Sequence, residues 1–159
     1  MEILRTPEER FDNLLDYNFG PNYINILDQN LGELRMHYLD EGRQFSKVAL
    51  LLHGEPTWSY LYRNMIPILV KNGIRVIAPD FIGFGKSDKP SDRGSYSYNG
   101  HVDWINIFFR KLNLKNVTLF GQDWGGLIGL RLLCDNQKSF DAVMIGTVSY
   151  THLTLPTKA

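Results

Sequence analysis

Four short apolar runs, each stopped by glycine or proline and each separated from the next by a stretch with helical spacing, constrain this chain more than any other feature. Residues 47–52 (K-V-A-L-L-L) end at His53-Gly54, and residues 74–78 follow Asn72-Gly73 and stop at Pro79-Asp80. Residues 117–120 follow Lys115-Asn116 and stop at Gly121, and residues 142–145 end at Gly146. Runs this short and continuous read as strands buried on both faces. Residues 60–71, 98–112 and 124–136 lie between them and read as helices. Strand and helix alternating at this spacing imply parallel pairing through right-handed crossovers, with helices covering both faces of the sheet. The segment 23–40 differs, because residues 23–27 and 34–39 flank a Gln29-Asn30-Leu31-Gly32 turn. That is a hairpin, so the sheet is expected to start with two antiparallel strands. The fold class is therefore α/β, and ligands in such sheets bind beyond the carboxyl ends of the strands.

Charge and composition exclude several partners. The chain has 17 basic and 17 acidic side chains among 159 residues, a formal net charge of zero. It carries no basic stripe for nucleic acid and no polybasic patch for an anionic membrane. Its apolar runs fall far short of the roughly 20 residues that span a bilayer. Residues 1–10 hold three Glu and two Arg, not an apolar signal core, which makes a cytoplasmic location the expectation. The single cysteine, Cys134, excludes an internal disulfide and a cysteine-built zinc site, and reads as a small buried residue.

The stretch 117–126, V-T-L-F-G-Q-D-W-G-G, carries the chemistry. A buried strand runs into a tight turn and then a helix, and Gly121-Gln122-Asp123-Trp124-Gly125 matches the pattern Gly-x-nucleophile-x-Gly, with aspartate in the central place. Such a bend strains its central residue and brings backbone close to the flanking positions, which glycine at 121 and 125 answers. Asp123 then sits at a helix N-terminus, where the dipole favours a negative charge. A carboxylate there is a competent nucleophile. It can displace a leaving group at saturated carbon without losing a proton, and water can open the resulting ester; carbon–halogen and epoxide bonds fit this scheme, peptides do not. The competing reading of Asp123 is a plain helix N-cap.

Ester hydrolysis passes through an oxyanion, which two backbone N–H groups usually stabilise. The amide of Trp124 is one candidate. The other is the amide of Glu55, in the loop His53-Gly54-Glu55-Pro56-Thr57-Trp58-Ser59, where Gly54 allows a turn and Pro56 stiffens the chain. In the loop 80–90, Gly83 and Gly85 read as turn geometry and Asp80, Ser87 and Asp88 as structural residues.

The runs H-G-E-P-T-W-S-Y-L-Y-R, A-P-D-F-I-G-F-G-K-S-D-K-P and G-Q-D-W-G-G resemble the haloalkane dehalogenases of the α/β-hydrolase superfamily, in the branch where glutamate follows His-Gly. The resemblance runs from about Thr6 to about Ile145. It implies that Asp123 attacks the halogen-bearing carbon, that Glu55 and Trp124 supply the oxyanion amides, and that the Trp124 indole N–H holds the departing halide. The competing reading of Trp124 is a hydrophobic cover over the bend. The implied partners are a small haloalkane and water, with no metal and no organic cofactor. An epoxide hydrolase uses the same aspartate bend and is the alternative, which the His-Gly-Glu-Pro loop disfavours.

The resemblance also defines what is expected to be missing. The family fold has about eight strands and a helical cap inserted after the sixth, and residues 142–145 would be that sixth strand. Residues 1–147 then correspond to the N-terminal part of the core, about six of eight strands without a cap. Residues 148–159 do not resemble the family and look like translated adapter sequence. A general base and an orienting acid are absent from this reading: His152 lies in that tail, Asp135 at a helix end and Asp141 at a strand start, while His37, His53 and His101 are better explained by structure. An inert polypeptide is thus a third reading, and its sixth strand is expected to be an exposed apolar edge.

Overall fold

The fold is given by a computed structural model, which describes residues 2–146; residues 148–159, with His152, lie outside the described residues. The central sheet has six strands: β1 (Asn22–Asp28), β2 (Gly32–Glu41), β3 (Val48–Leu52), β4 (Arg75–Pro79), β5 (Val117–Gln122) and β6 (Phe140–Gly146). Their spatial order is β1-β2-β4-β3-β5-β6. As the turn signal requires, β1 and β2 form an antiparallel hairpin, with Asn22 opposite Tyr38 and Asp28 opposite Gly32. β2 is antiparallel to β4, and β4, β3, β5 and β6 are mutually parallel.

Helix α1 (Met65–Lys71) lies on one face of the sheet, and α2 (Tyr98–Lys111) and α3 (Trp124–Asp135) lie on the other. The alternation of β3 explains the arrangement: Ala49 and Leu51 pack with Tyr62 and Ile66, while Leu50 and Leu52 join Phe108, Ile128 and Leu132. All five residues of β3 are buried, as its unbroken apolar run predicts. Each large side chain so buried contributes on the order of 1.5–3 kcal/mol relative to exposure.

Two expectations are corrected. The helix read over residues 60–71 is broken into a 3-10 turn, Ser59–Tyr62, and the seven-residue α1. Pro67 is the reason: it lacks an N–H and fits only in a first turn, so the helix starts just before it. Helices lie on both faces of the sheet as expected; on the α1 side Phe120 of β5 packs with the cluster of Tyr62 and Ile66, while Thr118 stays exposed. Cys134 is exposed, not buried, since Leu132 takes the inward position of that turn of α3. The apolar character of β6 is open to solvent as expected: Val143 is 46 % and Met144 61 % exposed.

An N-terminal strap, unread in the sequence, crosses the loops that follow β3 and β4. Ile3–Leu4 pairs antiparallel with Lys89–Pro90, and Arg5 clamps Asp88 at 2.6 and 3.1 Å. Lys86 pairs with Glu8, the Phe11 ring meets Trp58 edge-on, and Tyr17 Oη lies 3.0 Å from Ser59 Oγ. The loop between them is built as expected: Gly83 and Gly85 have φ of 98° and 47°, and Asp80, Ser87 and Asp88 are fully buried. Ser87 Oγ donates to the Asp80 carbonyl and accepts from the His37 amide, fastening the loop to β2.

Candidate active site

The register of β3 on β5 places the site. Leu52 lies opposite Gly121 in a parallel pair, so the loop leaving β3 and the bend leaving β5 emerge side by side at the carboxyl edge of the sheet. Asp123 is the single residue between β5 and α3, with φ 55° and ψ −124°. A side chain in that region of backbone space costs on the order of 1–3 kcal/mol. A Cβ on Gly121 would lie 2.7 Å from the Gly125 carbonyl oxygen, and one on Gly125 would run into the carbonyl of Leu52. Both flanking glycines therefore serve close approach of backbone, as the motif predicts.

The Asp123 side chain does not cap its own helix. Its Oδ1 instead accepts from the Glu55 amide at 3.2 Å. Gly54 acts differently from the sequence reading: its φ is not positive, and a Cβ there would collide with the Cβ of Asp123. The position is glycine because a carboxylate occupies the space, not because the chain turns.

The loop is held from beneath by two buried side chains. His53 Nε2 accepts from the Phe81 amide at 3.0 Å, so Nδ1 carries the proton and donates to the Gly54 carbonyl at 2.9 Å. Burial lowers the pKa of His53 and keeps it neutral, against the pull of Asp80. Asp80 Oδ1 accepts from the Ser59 amide at 2.8 Å, and Oδ2 accepts from His37 Nδ1 and the Lys86 amide at 2.8 and 2.9 Å. Burial alone would raise the pKa of Asp80, but the bond from His37, electrostatic attraction from His37 and His53, and the Lys86 amide hold it below the ordinary carboxylate range.

A cavity of about 230 Å³ opens beside the bend, lined among others by Glu55, Phe84, Tyr96, His101 and Trp124. Trp124 is 42 % exposed and faces Tyr98 across 6.4 Å between ring centroids, so it borders the cavity and is not core. The loop 81–84 and the start of α2 supply one wall of this cavity. Its signal was aromatic clustering, with F-I-G-F just after the carboxyl end of β4 and Y-S-Y at the start of α2. His101 stands within this wall, packed against Trp104 at 5.0 Å and Phe81 at 5.9 Å. Its buried Nδ1 has no partner, and burial, with His53 nearby, pushes its pKa down to about 4.

The bonds of His37 and His53 are committed elsewhere, and Asp135 binds Asn106 and Arg131 at the far end of α3. None of His37, His53 and Asp135 hydrogen-bonds to Asp123. Among the described residues no group of three or more His, Cys, Asp or Glu could hold a metal ion, and no helix is long and apolar enough to cross a membrane.

Comparison with known proteins adds the following. The α/β hydrolase fold family model matches residues 48–155. A haloalkane dehalogenase from Psychrobacter cryohalolentis is 58% identical over 146 residues, covering 92% of this chain and 48% of that protein. One from Mycolicibacterium paratuberculosis is 57% identical, covering 85% and 45%. The chain therefore spans about half the length of the curated relatives it matches. Among solved structures, the tetrameric haloalkane dehalogenase of Paraglaciecola agarilytica superposes with a TM-score of 0.85 at 45% identity, over 93% of this chain and 50% of that one. An epoxide hydrolase from Vigna radiata superposes with a TM-score of 0.70 at 27% identity, over 80% and 38%.

Proposed function

The chain belongs to the α/β-hydrolase fold family, and on that premise we propose that it carries the nucleophile half of a haloalkane dehalogenase. The observation that carries this reading is the Asp123 carboxylate, held by the Glu55 amide at the mouth of an aromatic cavity instead of capping its helix.

In this proposal Asp123 attacks a halogen-bearing carbon. The new carbon–oxygen bond forms as the carbon–halogen bond breaks, and the halide leaves with the electron pair. Oδ1 is engaged by Glu55, which leaves the second oxygen to react. The indole N–H of Trp124 is a donor without negative charge and can receive a halide in an apolar cavity. Water then adds to the aspartyl carbonyl, the amides of Glu55 and Trp124 receive the oxyanion, and the alcohol departs. That second step needs a base and an orienting acid, which in this superfamily follow the nucleophile in the order acid, then histidine. Neither role is assigned here to a described residue, so the chain by itself is expected to alkylate without turning over. Haloalkane and water are the only reactants; neither a metal nor an organic cofactor enters the scheme.

Epoxide opening would use the same aspartate. The Glu55-bearing loop and the higher identity to haloalkane dehalogenases, 58% against 27% for the epoxide hydrolase structure, favour the halide reaction. The test is incubation of the purified chain with 1-bromobutane. One butyl group per chain by intact mass, one bromide released and no adduct in Asp123→Ala are expected. A folded chain that gives neither adduct nor bromide overturns the proposal.

A further inference from the structure

The carbonyl of Gly54 and the amide N–H of Glu55 belong to one peptide group. Its N–H donates to Asp123 Oδ1. Three donors converge on its carbonyl oxygen: Thr57 N at 3.0 Å, Thr57 Oγ1 at 2.8 Å and His53 Nδ1 at 2.9 Å. A carbonyl oxygen has two lone pairs, so this one is more than filled. Donors on the oxygen of a peptide polarise its N–H in the same sense and strengthen the bond that N–H gives, an effect of about 10–30% per bond. They also fix the peptide plane. With Gly54 unable to bear a Cβ beside Asp123, the N–H has one direction left.

We infer that the Thr57 hydroxyl is a positioning residue, which orients and polarises the Gly54–Glu55 peptide so that its N–H meets the Asp123 carboxylate and, later, the oxyanion. Thr57 touches no reacting atom itself. The backbone turn from Thr57 N to the Gly54 carbonyl would form with any residue but proline at this place. The hydroxyl is the added element, and His53 is engaged from both ring nitrogens, so only Thr57 is free to be varied without unmaking the loop. This inference rests on the proposed dehalogenase reading for the oxyanion and on geometry alone for the carboxylate.

Three variants of the full chain test it: Thr57→Val, which keeps the shape and removes the donor; Thr57→Ala, in case valine perturbs folding; and Thr57→Ser, which restores the donor. The first readout is nuclear magnetic resonance without substrate. The Gly54 carbonyl carbon and the Glu55 amide proton are expected downfield in the parent and in Thr57→Ser, and both move upfield in Thr57→Val and Thr57→Ala. The second is cleavage of the butyl adduct by hydroxylamine, which attacks the Asp123 carbonyl, expels butanol and leaves the hydroxamate. Loss of one supporting bond is expected to slow it about fivefold in Thr57→Val, with Thr57→Ser near the parent. An ordinary Gly54 carbonyl shift in the parent, or resonances unmoved by loss of the hydroxyl, overturns the inference. If the parent forms no adduct, the dehalogenase reading fails, and the Thr57 assignment is then decided by the resonances.

Discussion

His37 Nδ1 and Asp80 Oδ2 lie 2.8 Å apart, with both side chains buried to within 1% of completely. The pair joins β2 to the end of β4 across 43 positions of sequence, and the same carboxylate receives the Ser59 amide from the loop that bears Glu55. Asp80→Asn sets an amide N–H₂ against one of three fixed donors. The variant is expected to be less stable by about 3–5 kcal/mol, the cost of breaking a buried charged network from one side. Urea unfolding followed by tryptophan fluorescence measures it; a midpoint unchanged from the parent contradicts the account.

The histidine of the cavity wall sets an acid limb. His101 titrates near 4 in the folded chain against an ordinary value of 6.5, so the unfolded chain binds more protons between these values and stability falls as pH drops through that window. His53, whose pKa is lowered in the same direction, adds to the loss. The thermal midpoint is therefore expected to be flat above about pH 6.5 and to decline below it. His101→Phe should shallow the decline without abolishing it, because His53 remains. A decline of equal slope in that variant contradicts the assignment to His101.

How much of this was legible beforehand depends on the range of the contact involved. The strands of the sheet and the bend at Asp123 announce themselves locally, through unbroken apolar runs and glycines spaced two on either side of one aspartate. Pro67 also sits in plain view, and its missing N–H is what shortens α1 from the span of residues 60–71. The Asp80 network and the strap could not be read, because their partners are 43 and 83 positions apart and no periodicity links them. Gly54 shows the same limit at one residue: its need for space comes from Asp123, 69 positions later in the chain by number and adjacent only through the pairing of β3 with β5.

The bend itself holds strain. Asp123 occupies φ 55° and ψ −124°, a combination open to glycine. Asp123→Gly is expected to raise unfolding stability by about 1 kcal/mol while abolishing the covalent adduct. Calorimetry and intact mass together check it, and a variant that loses the adduct without gaining stability shows an unstrained bend.

On β6, Met144 is 61 % exposed within a strand whose only sheet neighbour among the described residues is β5. Met144→Lys should leave unfolding stability within about 0.5 kcal/mol of the parent and reduce light scattering in concentrated solution, since a charge on an apolar edge opposes strand-to-strand association. Unaltered scattering would locate self-association elsewhere.

The strap gives the order of synthesis a structural meaning. Ile3, Leu4 and Arg5 leave the ribosome well before their partners Pro90, Lys89 and Asp88, which are translated more than eighty residues later. At roughly 5–20 residues per second this segment waits on the order of ten seconds before it can dock. A bulky fusion at the amino terminus would be dragged toward the β4 loop at that moment, whereas a short extended leader would trail free.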